Sequence, residues 1–182
     1  MDLLQQQALA LIKGALTEET CILAEPPNFD GLLKVAGKHK IAALMYYALL
    51  SGGYDAEPVT QQLFFHTCRY LAVSEAQMAM LDRVFAAFRE RGIEYLPLKG
   101  VLLKGIYPKP EMRRMGDADV LFRREQYDAI KEVLTGLDFT FDYETDHEWV
   151  WRHPQLLLEM HKRIVPRRDV DLYRYFGNGW AH

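Results

Sequence analysis

The chain is poor in cysteine: Cys21 and Cys68 are its only two among 182 residues. Neither takes part in the short paired spacings of zinc or thiol-redox motifs, so cysteine metal and disulfide chemistry is set aside, and both are expected to be buried thiols in a reducing compartment. An excess of charge of one sign is also missing. The formal net charge is −3, so no basic balance invites a long nucleic acid. No apolar run approaches the length of a membrane-spanning helix, which argues against a membrane partner. The N-terminus, Met1-Asp2-Leu3-Leu4-Gln5-Gln6-Gln7, lacks a basic region ahead of a long apolar stretch. Secretory targeting is therefore not expected, and the expected location is cytoplasmic. Internal repeats and low-complexity tracts are absent as well.

What is present suits a globular protein. Apolar residues make up 49% and charged residues 26%, enough to bury a real core in one domain, or in a compact domain with a helical extension. The first half reads as helical. Leu3, Leu4, Leu9, Leu11 and Ile12 form one amphipathic stripe, and Phe29, Leu32, Leu33, Val35 and Ala36 a second. Residues 41–50 are a third helix. Residues 57–91 contain no Gly and no Pro beyond Pro58 at their start, and Leu63, Tyr70, Leu71, Met78, Leu81, Val84, Phe85 and Phe88 recur at helical spacing until Gly92, as one long helix or two joined ones.

The pattern then shortens. Strands are expected at 93–97, 117–122, 139–143, 147–152 and 155–161, the last two joined by a turn at His153-Pro154. Helices are expected at 99–106 and 124–135, with Gly136 as the C-cap of the second. The fold class is α+β, a small mixed sheet flanked by helices. Residues 1–91 form a helical N-terminal region, 92–165 a core, and 166–182 a polar, aromatic tail without assignable period.

The chemistry concentrates in Met115-Gly116-Asp117-Ala118-Asp119-Val120-Leu121-Phe122. On a strand, Asp117 and Asp119 project from one face while Ala118, Val120 and Phe122 enter the other. Two like charges on one face repel, and a divalent cation is a common reason to tolerate them. In Leu156-Leu157-Leu158-Glu159-Met160-His161, Glu159 interrupts an apolar strand and is the natural third carboxylate, able to bind metal or accept the proton of an attacking hydroxyl. Two magnesium ions held about 4 Å apart by such a set stabilise charge in phosphoryl and nucleotidyl transfer. Gly100, after one strand and at the start of a helix, offers close backbone approach to a phosphate. Lys99 and an arginine of the Arg113-Arg114 pair add positive charge there.

Leu98-Lys99-Gly100, Tyr107-Pro108, Arg113 and Gly116-Asp117-Ala118-Asp119-Val120-Leu121 together resemble the uncharacterised nucleotidyltransferase family of the DNA polymerase beta-like superfamily. Leu158-Glu159-Met160-His161 resembles its third-carboxylate strand, and Lys38-His39-Lys40-Ile41-Ala42-Ala43-Leu44 its upstream helical segment. The resemblance covers about residues 29–165. It implies a nucleotidyltransferase-like core at 92–165 and transfer of a nucleoside monophosphate from an NTP, ATP among them, with release of pyrophosphate. The acceptor would be a hydroxyl on a small molecule, a protein side chain or a nucleic-acid end. The implied catalytic and metal-binding residues are Asp117, Asp119 and Glu159, with two Mg ions. The implied nucleotide-binding residues are Lys99, Gly100 and Arg113, the last preferred over Arg114 on the resemblance alone.

Two departures stand out. The superfamily turn is more often Gly-Gly or Gly-Ser than Lys99-Gly100, and the interval from Gly100 to Asp117 is longer than the norm, an excess the Pro108-Lys109-Pro110 loop would absorb. Related proteins often continue past the third carboxylate, so substrate-binding parts are expected from further chain or another subunit. The alternative is a catalytically degenerate module of the same fold that binds nucleotide or a protein partner through its helical half. His161 is expected to be structural, Trp149, Trp151 and Tyr143 to pack rather than stack a base, and Lys162-Arg163 with Arg167-Arg168 to form a modest basic patch near the carboxylates.

Overall fold

The computed structural model describes residues 1–180, which fold as two compact units. The first comprises Met1–Ser74 with Leu103–Arg114, and the second Glu75–Leu102 with the described residues from Met115 onward. Among the described residues no helix is long and apolar enough to cross a membrane.

The first unit is helical because its apolar residues recur every three or four positions and its first two helices start at side-chain caps. In α1 (Leu3–Thr17) the Asp2 carboxylate accepts the Gln5 amide at 2.8 Å while the Gln5 side chain accepts the Asp2 amide at 3.2 Å, satisfying two donors the helix cannot. Asn28 caps α2 (Phe29–His39) with one bond, its side chain accepting the Gly31 amide at 3.0 Å. With α3 (Ala42–Ser51) and the start of α4 (Pro58–Glu90) these helices bury Leu11, Leu32, Met45, Leu49 and Leu63 completely. Cys21 is half-buried, but Cys68 is exposed, contrary to the expectation of two buried thiols. On α4 the inward positions are Leu63 and Thr67, and Cys68 follows Thr67 onto the outer side.

The second unit carries a five-stranded mixed sheet in the order β1-β2-β5-β4-β3. Its strands are β1 (Tyr95–Pro97), β2 (Ala118–Phe122), β3 (Thr140–Glu144), β4 (Glu148–His153) and β5 (Leu156–His161). Only β2 and β5 run parallel; every other pair is antiparallel. Alternation divides the sheet by face. Ala118, Val120 and Phe122 of β2, Leu156, Leu158 and Met160 of β5, and Trp149 and Trp151 of β4 enter one core with Leu81, Val84 and Phe88 of α4 and Ile130 and Leu134 of α6 (Tyr127–Gly136). Removing such side chains from water, at about 1.5–3 kcal/mol each, is what holds the helices to this face. The other face receives Asp119, Glu159, His161 and Glu148.

Three local readings differ from expectation. Asp117 stands one residue ahead of β2, in a bend, so the strand begins at Ala118. Gly136 is the last helical residue of α6 and not its cap; Asp138, at φ +65°, takes the left-handed position while the Phe139 amide returns to the Leu134 carbonyl at 3.0 Å. Aspartate is one of the few residues that tolerates this conformation. The tail contains a helix, α7 (Val170–Phe176), and residues 181 and 182 lie outside the described residues.

Candidate functional site

Helix α4 ends at a left-handed Gly92 (φ +65°), and the chain passes into β1, which delivers Leu98-Lys99-Gly100 beside the start of β2. The Leu98 amide donates to the Asp119 carbonyl at 2.9 Å, tying this turn to the aspartate strand. Lys99 has φ +31°, an unusual backbone state for a residue with a side chain, and it opens the short helix α5 (Lys99–Lys104). A Cβ on Gly100 would meet Met115 Cγ at 3.4 Å and the Asp117 carbonyl at 3.7 Å, so the turn lies in van der Waals contact with the segment carrying Asp117.

Parallel pairing of β2 with β5 places Asp119 directly opposite Glu159. The β4–β5 hairpin, turning at Pro154-Gln155 between paired His153 and Leu156, then sets Glu148 opposite His161. The Asp119 carboxylate is almost fully buried and is held by two cations: Lys99 Nζ donates to Oδ1 at 3.0 Å and His161 Nε2 to the same oxygen at 2.9 Å. His161 Nε2 also lies 3.7 Å from Glu159 Oε2 and 3.7 Å from Glu148 Oε2, and His147 Nε2 lies 3.3 Å from Glu148 Oε2.

The electrostatics follow from these contacts. Burial works to raise Asp119, but the hydrogen bonds from His161 and Lys99 outweigh it and hold the carboxyl below its ordinary range. For Asp117, burial and then the negative charges of Glu159 and Asp119 push the carboxyl upward, so its charge is disfavoured where it stands. Burial opposes the imidazolium of His161, yet bonds to Asp119 and Glu159 prevail and raise it to about 9. Lys99 is likewise raised: burial opposes its charge, and Asp119 outweighs that.

The other residues fall as follows. Arg113 belongs to the first unit, where its carbonyl accepts from Lys104 Nζ at 3.1 Å and from the Tyr70 hydroxyl at 3.0 Å, so the cluster described here is made without it. Glu159 has no ion pair with Arg163, which bonds Asp146 at 2.9 Å instead. Lys162 pairs with Glu144 at 2.7 Å, so part of the basic patch is neutralised locally. Trp149 and Trp151 are buried in the core, whereas Tyr143 is exposed on the edge strand β3. Glu148 and His147 belong to the cluster and went unread in the sequence. Hairpin arithmetic offered the signal, since a two-residue turn after His153 forces 148 opposite 161.

Two donor groups result, Asp119 with Glu159 and His161, and His147 with Glu148 and His161; within each, one donor atom per residue lies within 4.8 Å of the others. A family model described as uncharacterised nucleotidyltransferase matches residues 25–182. The chain belongs to the uncharacterised nucleotidyltransferase family. In this family member the carboxylates of two parallel strands and the Lys99-Gly100 turn share one end of the sheet. Among solved structures it is similar to the antibiotic-resistance factor ANT(2'')-Ia, known from a solution structure, at 18% identity and a TM-score of 0.41. That match covers 46% of this chain and 44% of the other, so the chain spans less than half the length of that relative. No curated protein matches the sequence.

Proposed function

We propose that the protein is a magnesium-dependent nucleotidyltransferase that moves a nucleoside monophosphate from an NTP such as ATP to a hydroxyl acceptor and releases pyrophosphate. One observation carries this reading: Asp119 and Glu159 are register partners on parallel strands, with Asp117 close enough to both to be destabilised by their charge. Such a set fits a hard divalent cation, which takes oxygen ligands and relieves the repulsion. Asp117, Asp119 and Glu159 would hold magnesium. When bound, two such ions supply charge neutralisation at the attacking and leaving oxygens.

The chain's own groups do the rest. Glu159 accepts the proton of the acceptor hydroxyl as its oxygen attacks the α-phosphorus, and the bond to the bridging oxygen breaks to free pyrophosphate. His161 keeps the Asp119 carboxylate oriented. Lys99, whose side chain is 65% exposed, is free to leave Asp119 for a phosphate oxygen, while Gly100 beside it is buried.

A second reading draws on a different fact. Asp119 is already matched by Lys99 and His161, as a structural carboxylate would be, which favours a module that binds nucleotide or protein without turnover. Calorimetric titration with ATP and magnesium, followed by a pyrophosphate-release assay across several hydroxyl acceptors, separates the two. Turnover lost in Asp119→Asn supports the enzyme. Binding without release under every acceptor supports the module, and an unaffected Asp119→Asn enzyme refutes the role given to that residue.

A further inference from the structure

We propose that His147, Glu148 and His161 form a binding site for a divalent transition metal of the zinc type, with donors distinct from the Asp117, Asp119 and Glu159 carboxylates. This goes beyond nucleotidyl transfer and does not depend on it. Glu148 and His161 face each other across the β4–β5 pair, and His147 immediately precedes β4, so three donors arrive from one hairpin. The hairpin is locked there: the Lys162 amide donates to the His147 carbonyl at 2.7 Å.

The spacing suits a small tetrahedral ion. Bonds of about 2.0–2.1 Å at tetrahedral angles put neighbouring donor atoms roughly 3.3 Å apart. His147 Nε2 and His161 Nε2 stand 3.3 and 3.7 Å from the same Glu148 oxygen. The two rings are inclined at 54° with centroids 5.8 Å apart, so they converge without stacking. Their side chains are 25% and 5% exposed and that of Glu148 is 12% exposed, so the donors lie largely out of bulk water. Thr145 Oγ1 is 3.4 Å from His147 Nδ1, a partner for the ring nitrogen that would not ligate. His161 Nδ1 is buried and finds no hydrogen-bond partner among the described residues, so the ring's protein contacts are all made through Nε2, the nitrogen that faces Glu148.

Two imidazoles and one carboxylate make a borderline donor set. It suits zinc, cobalt or manganese far better than magnesium, which prefers oxygen ligands and retained water. His161 Nε2 donates to Asp119 at 2.9 Å without metal and gives up that proton to the solvent when it ligates, and Asp119 with Glu159 forms the other donor group around the same imidazole. His147 is therefore the discriminating ligand, because it belongs to one group only.

Cobalt(II) titration of the full chain, read by visible absorption, tests the site. The expected result is one equivalent bound with the intense spectrum of tetrahedral cobalt, displaced by zinc and not by excess magnesium. His147→Ala, at a partly exposed position before the strand, should weaken cobalt binding by more than the roughly 10–100-fold that loss of an outer-shell partner costs. Asp117→Asn should leave the spectrum intact. Absence of the tetrahedral spectrum, its persistence in His147→Ala, or its loss in Asp117→Asn would each overturn the proposal. None of these readouts involves nucleotide, so their failure is separable from failure of the transferase reading.

Discussion

Asp117 and Asp119 are two residues apart, yet removing their charges should move stability in opposite directions. Asp119 lies in surroundings that favour its ionised form, and Asp117 in surroundings that do not. In chelator, Asp119→Asn leaves His161, 5% exposed, without the carboxylate it bonds at 2.9 Å. A hydrogen bond to a charged group contributes about 1.5–3 kcal/mol. The Lys99 contact adds little, because a lysine that is 65% exposed is rehydrated when it lets go. The net expectation is a loss of about 2 kcal/mol, which at a urea dependence of about 1–3 kcal/mol per molar lowers the midpoint by roughly 1 M. Asp117→Asn should raise the midpoint, since it removes a charge that Glu159 and Asp119 repel. Tryptophan fluorescence is the right probe: Trp149, Trp151 and Trp180 all belong to the sheet unit, so the signal reports the unit that carries the cluster. If Asp119→Asn is as stable as the wild type or more so in chelator, carboxylate repulsion dominates at both positions and the assignment of cations to Asp119 is wrong.

Two further outcomes follow from the same unit. Trp151 is almost fully buried and its indole Nε1 has no partner among the described residues, so Trp151→Ala should cost about 3–5 kcal/mol in urea unfolding, whereas Trp151→Phe, which sheds the orphan donor, should cost far less. Asp146 bonds Arg163 and receives the Arg167 amide, and these bonds hold its carboxyl below the ordinary range. Its contribution is therefore present above the ordinary carboxylate pKa and lost as pH falls through the depressed one, so Asp146→Asn should flatten the acid limb of a stability-versus-pH curve.

Legibility in the sequence tracked how local the cause was. The long helix was readable because residues 59–91 contain no Gly or Pro, and α4 runs Pro58–Glu90, with its one proline at the first helical position where it is tolerated. The strand faces were readable from alternation, which separates Leu156, Leu158 and Met160 from Glu159. Helix α7 left no trace because none of its residues is buried, so no apolar stripe marks it. Gly136 misled because glycine is the commonest left-handed cap, and here an aspartate two residues on does that work. Cys68 misled because cysteine is usually buried, while its place on α4 faces out. In the cluster, the pairing of Asp119 with Glu159 depends on a parallel contact between strands forty residues apart, which no local pattern specifies. Glu148 was reachable through the hairpin turn, but its neighbours Trp149 and Trp151 drew the reading to the opposite face.

The most direct test of the central claim is anomalous scattering from a crystal soaked with manganese and a non-hydrolysable ATP analogue. The account predicts manganese peaks ligated by Asp117, Asp119 and Glu159, with the triphosphate beside Lys99 and Gly100. Ordered nucleotide with no manganese on those three carboxylates would contradict it.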